Sequence, residues 1–102
     1  MKAYELLDSP GKWTKGAYAI DSNGSNTSSL SKDAARWCML GALRRCYFGV
    51  EGNTTLINDG YEKAASRVIS ALPKDYASVV VFNDDPGTTF EDVVSILKEA
   101  DV

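Results

Sequence analysis

The segment KDAARWCMLGALRRCYF, residues 32–48, constrains the fold more than any other part of the chain. At helical spacing it places Ala35, Cys38, Met39, Ala42 and Cys46 on one face and Trp37, Leu40 and Tyr47 on an adjacent one. A helix apolar over so wide an arc is covered on more than one side. The other elements are therefore expected to wrap around it. Ser31 stands where it can cap this helix, with Asp33 favourable in the first turn. Gly41 in the interior costs about 1 kcal/mol against alanine. The compensation implied is close approach by another backbone. Gly49 is the expected C-terminal stop.

The flanking segments supply that cover. Residues 2–8 (KAYELLD) pattern as a short amphipathic helix ended by Ser9-Pro10-Gly11. Residues 16–20 (GAYAI) read as a strand. The polar stretch 21–30 turns at Asn23-Gly24 and reads as a hairpin with a short, irregular second arm. Residues 50–57 are connection. Tyr61, Ala64, Ala65, Val68, Ile69 and Leu72 follow a helical template over 59–72, and Pro73 stops it. The β-branched run 78–82 (SVVVF) reads as a strand buried on both faces. Asp84 to Gly87 form a turn. Thr88 and Glu91 match a capping box for a last helix over 89–100. The expected fold is α+β: about four helices around a central buried helix, with a small two- to three-stranded sheet. The 102 residues suit a single domain, 1–102.

Composition narrows the chemistry. Net charge is −3, with 14 acidic and 11 basic residues, so general attraction to nucleic acid or an anionic membrane is not expected. No apolar run approaches the ~20 residues that span a bilayer. Residues 1–10 are polar and helix-like and do not read as a signal peptide. The expected location is cytoplasmic. The chain has no histidine, which removes Ser-His-Asp and Cys-His catalysis and histidine metal sites. No P-loop occurs, and no Gly-x-Gly-x-x-Gly follows a strand. Cys38 and Cys46, on one helix, would lie about 12 Å apart, beyond the reach of a disulfide. Both are expected to be free thiols, with Cys38 packed in the core. No catalytic residue, metal ligand or cofactor is assigned.

The candidate binding residues are Trp13, Lys15, Trp37, Asn83 and Asp84. Asn83 and Asp84 leave the expected strand just before a helix, where polar groups often line ligand sites. Turn chemistry alone gives the same pattern. Adjacent carboxylates at Asp84 and Asp85 are a weak magnesium motif. Trp13 lies between Lys12 and Lys15, and Trp37 on the central segment. Both tryptophans carry much apolar area for a core or a binding surface. Because the run before Asn83 is apolar, its side chain is expected to be buried, bonded to backbone near Trp13 to Gly16.

Taken together, Trp13, Lys15-Gly16-Ala17, Asp33-Ala-Ala-Arg-Trp37-Cys38-Met-Leu-Gly41-Ala42-Leu43, Phe82-Asn83-Asp84-Asp-Pro-Gly and a final helix with Val93, Leu97 and Ala100 resemble a group of small uncharacterised bacterial and phage proteins. Its marks are Trp-Cys-x-x-Gly-Ala-Leu on the central helix and Asn-Asp after the last strand. The family often carries Trp where Phe82 stands here. The resemblance implies the element order and an accessory or host-interaction role on a mobile element. It implies no reaction. The leading functional expectation is a non-enzymatic binding or protein-interaction module with a protein or small-molecule partner. The alternatives are a small-molecule binder or minor enzyme with a polar site around Asn83 and Asp84, and a homodimer that covers surplus apolar helix surface.

Overall fold

The structure, a computed structural model, describes residues 1–47 and 54–102. It is an α+β fold. Helix α1 (Ala3–Leu6) is followed by a short 3-10 turn, Pro10–Lys12, and strands β1 (Ala19–Asp21) and β2 (Ala34–Trp37). Helices α2 (Met39–Tyr47), α3 (Thr54–Ala71), α4 (Val79–Asp84) and α5 (Phe90–Ala100) complete the described order. Strands β1 and β2 pair antiparallel, Ala19 opposite Trp37 and Asp21 opposite Ala34, with an irregularity between Ile20 and Asp21.

The centre is α2, as its apolar arc requires. It packs against α1, α3 and α4, and α5 closes over α1 and α3. Leu7, Met39, Leu43, Val68, Val93 and Leu97 are fully buried between these helices. Of the apolar arc, Cys38, Met39 and Ala42 are buried, and Leu40, Cys46 and Tyr47 are partly buried against the same core.

The central segment differs from its expected form in one important way. Residues 34–37 are strand, and the helix begins only at Met39. Ser31 does not cap it. The N-cap is Cys38: its carbonyl accepts the Ala42 amide at 2.8 Å and its Sγ accepts the Gly41 amide at 3.3 Å. Ala34, Ala35 and Arg36 are acceptable helix residues, but propensity is weak beside tertiary context. Here the strand pairing with β1 prevails. The expected end of the helix at 48, the Gly49 stop and the start of the 50–57 connection lie outside the described residues.

Gly41 meets another backbone, as expected. A Cβ at this position would overlap the Tyr18 carbonyl oxygen. The same carbonyl accepts the Cys38 amide at 3.2 Å. The glycine lets the chain leaving β2 turn into α2 directly beneath the Tyr18 peptide.

The second correction concerns residues 78–82, which form no strand. They open α4, a helix of six residues capped by Ser78, whose Oγ accepts the Val81 amide at 3.1 Å. Burial follows the helical period: Val79, Phe82 and Asn83 face inward, while Val80 and Val81 are exposed. Helix α3 starts earlier than the apolar template suggested. At α5 the cap is one residue later than expected: Thr89 and Asp92 form the reciprocal pair, with Thr89 Oγ1 accepting the Asp92 amide and Asp92 Oδ2 accepting the Thr89 amide.

Candidate functional site

Two connected features occupy one end of the molecule: a buried polar clasp and an open cleft beside it. The clasp is built on Asn83, in the last turn of α4 and 1% exposed. Its Oδ1 accepts the Trp13 indole Nε1–H at 2.7 Å and the Met39 amide at 3.0 Å. Its Nδ2 donates to the Thr14 carbonyl at 3.1 Å and to Asp84 Oδ1 at 2.9 Å. A side-chain amide has two acceptor sites and two donor hydrogens, so this one is saturated. It joins three separate pieces of chain: the 13–14 segment, the first residue of α2 and the end of α4. Sequence reasoning anticipated the burial and the Trp13–Gly16 partner, but not the Met39 amide.

The loop is held from both sides. The Thr14 amide donates to the Trp37 carbonyl at 3.1 Å, which extends the sheet by one bridge. Gly16, at φ +82°, donates its amide to Asp84 Oδ1 at 3.0 Å. A left-handed backbone here favours glycine. Lys15 Nζ donates to the Asp85 carbonyl at 2.6 Å and lies 5.4 Å from the Trp13 ring centroid. A cation at the carbonyl end of α4 is favourably placed. Trp13, half-buried, packs its ring against Phe90 at 6.3 Å.

Four of the five candidate residues therefore meet: Trp13, Lys15, Asn83 and Asp84. The indole of Trp37 is engaged elsewhere. It is buried, its Nε1 donates to the Ser29 carbonyl at 3.1 Å, and Arg45 lies over its ring. Asp85 engages both of its carboxylate oxygens with groups other than those at Asp84. Its Oδ1 accepts the Gly87 amide and its Oδ2 accepts the Tyr76 hydroxyl. That hydrogen bond pushes the Tyr76 phenol pKa up. Among the described residues, no group of three or more acidic or cysteine side chains is placed to hold a metal ion.

The cleft lies beside the clasp and has a volume of about 440 Å³. Gly16, Ala17, Tyr18 and Ala19 form one wall, Asn26 and Thr27 another, and Val80, Cys38 and Asp84 the rest. Asp84 is exposed, and its Oδ1 already accepts from Gly16 and Asn83. Its Oδ2 takes no hydrogen bond or ion pair from the described residues. The Cys38 thiol is 5% exposed at the N-terminus of α2. Burial raises its pKa, an effect that outweighs the amides of Gly41 and Leu40, and the nearby Asp84 charge adds to it. The thiol therefore stays protonated at neutral pH. Cys46 is also free, and burial raises its pKa too.

The cleft residues Tyr18, Asn26, Thr27, Cys38 and Val80 were not singled out from sequence as lining a site. The available signal was Cys38 three residues before Gly41, since a cap accepts from that amide. The run of alanines before Trp37 hid it by patterning as helix.

The features define a small α+β domain with a polar clasp next to a ligand-sized cleft. A family model described as a family of unknown function, DUF6197, matches residues 1–101, and the chain belongs to that family. No curated protein and no solved structure matches it. No helix among the described residues is long and apolar enough to cross a membrane.

Proposed function

We propose that this protein is a non-enzymatic binding module whose ligand enters the cleft between residues 16–19, Asn26–Thr27 and α4. The observation that carries this reading is an opening of about 440 Å³ bordered by a carboxylate with one oxygen that takes no bond from the described residues. That volume is in the range of ligand pockets. A concave site favours a small molecule or one projecting side chain over a flat protein interface. Tyr18 and Val80, 46% and 37% exposed, give it apolar borders. A protonated thiol and a saturated amide beside it support binding over catalysis. The resemblance to small bacterial and phage proteins supports an accessory role on a mobile element.

The test is a fragment screen on ¹⁵N-labelled protein. Saturable shifts clustered on the amides of Gly16, Thr27, Cys38 and Val80 are expected. Shifts confined to α3 and α5, or no saturable shift, would reject the cleft. Sedimentation at monomer mass is expected throughout, whereas a dimer that buries Tyr18 and Val80 would favour the homodimer reading.

A further inference from the structure

Resting on that reading, we propose that the cleft takes a primary ammonium group carried on an apolar stem, with Asp84 Oδ2 as its anion.

Charge gives the first argument. Among the described residues lining the cleft, Asp84 is the one carboxylate, and none is basic. Nothing described neutralises it. Lys15 directs its Nζ to the Asp85 carbonyl, and Arg44 lies over the Tyr18 ring, 4.9 Å from its centroid. The buried thiol of Cys38 adds no second negative charge. The described lining therefore holds one carboxylate and no basic residue, which disfavours carboxylate and phosphate ligands.

Geometry then separates one cation from another. A guanidinium binds a carboxylate best through two parallel hydrogen bonds that need both oxygens. Asp84 Oδ1 already accepts from the Gly16 amide and from Asn83 Nδ2. Among the described residues nothing bonds to Oδ2, and a single oxygen suits a point-like ammonium with three donors. Asn26 and Thr27, which line the same cleft, carry neutral side-chain oxygens that suit its remaining hydrogens. The side chains of Val80 and Tyr18 can flank an aliphatic stem. Such a group comes either from a free aliphatic amine or from a lysine side chain presented by a protein. The chemistry at Asp84 is the same for both.

The experiment follows the Gly16 and Thr27 amides during titration with pentylamine, an Nα-acetyl-lysine methylamide, pentylguanidine and pentanol. The variant is Asp84→Asn, which keeps an Oδ1 acceptor for Gly16 and Asn83 while removing the charge. An unchanged melting temperature checks the fold. Pentylamine and the lysine derivative should bind saturably, both more tightly than pentylguanidine or pentanol. Asp84→Asn should weaken both by about fivefold, the upper end for a solvent-exposed ion pair. Tighter binding of the lysine derivative would assign the source to a protein side chain, and tighter binding of pentylamine to a free amine. Equal affinity for pentylguanidine or pentanol, or binding unaffected by Asp84→Asn, would overturn the proposal and leave the cleft reading standing. No binding by a fragment of any charge would overturn both.

Discussion

Asn83 and Asp84 are adjacent in one helical turn, yet they belong to different regions with opposite properties. Asn83 is buried and every polar valence of its amide is in use. Asp84 is exposed, and one carboxylate oxygen is fixed while the other has no partner among the described residues. The comparison teaches where function can reside. A saturated buried group is committed to holding chain segments together. A half-occupied group at a cleft is available to something outside. The clasp makes the cleft possible, because it fixes Gly16 and the start of α2 relative to α4.

The largest expected effect comes from breaking the clasp. Asn83→Ala removes the acceptor for the buried Met39 amide and for the Trp13 indole. An orphaned buried donor costs about 1–3 kcal/mol. With two donors affected, urea unfolding should show a loss of about 3 kcal/mol, with a shift in tryptophan fluorescence. A loss confined to ligand binding, with stability intact, would move Asn83 from the clasp to the cleft.

The next effect tests the turn into α2. Helix propensity alone would make Gly41→Ala stabilising by about 1 kcal/mol. The Tyr18 carbonyl stands where the new methyl must go. The substitution should instead destabilise by about 2 kcal/mol, as overpacking does. A raised urea midpoint would show that the two backbones can separate at no cost.

A smaller effect is expected at the neighbouring carboxylate. Asp84→Asn keeps an oxygen for the Gly16 amide, so stability should change by no more than about 0.5 kcal/mol, as for exposed substitutions. A loss as large as that of Asn83→Ala would dissolve the distinction between the two regions.

The smallest effect is in the pH dependence. The folded protein holds the Cys38 proton more tightly than the unfolded chain, whose thiol has the ordinary value of 9.0. The unfolded chain therefore loses the proton first as pH rises. The stabilisation is fully present below pH 9.0 and declines from there through the folded value. Wild type should lose stability faster than Cys38→Ala above that pH in paired urea titrations. Parallel curves would mean that the thiol is not desolvated. In thiol labelling at neutral pH, Cys46 should react before Cys38, which is nearly inaccessible.

Parts of this arrangement are legible in the sequence, and the failures have a common cause. Val68, Val93 and Leu97 sit in long periodic segments, where apolar spacing identifies α3 and α5 directly. The burial of Asn83 follows from the apolar run before it. Residues 34–37 pattern as helix because alanine and arginine favour it. They are strand because β1 offers a partner and Gly41 must pass beneath Tyr18. Val79, Val80 and Val81 pattern as strand because they are β-branched. They are helix because Ser78 caps them and because Val79, Phe82 and Asn83 reach the core only at helical spacing. In both segments a long-range contact decides between two locally acceptable states. Such contacts are absent from any local window. The Asp84 cleft was hidden for the same reason, since its walls come from four distant segments.

The claim that the Asn83 amide is the structural centre is tested most directly by hydrogen exchange at its two donors. The Met39 amide and the Trp13 indole N–H should be strongly protected in the wild-type protein. Both should lose that protection in Asn83→Ala and keep it in Asp84→Asn. Rapid exchange of either donor in the wild type, or protection unchanged by Asn83→Ala, would contradict the account.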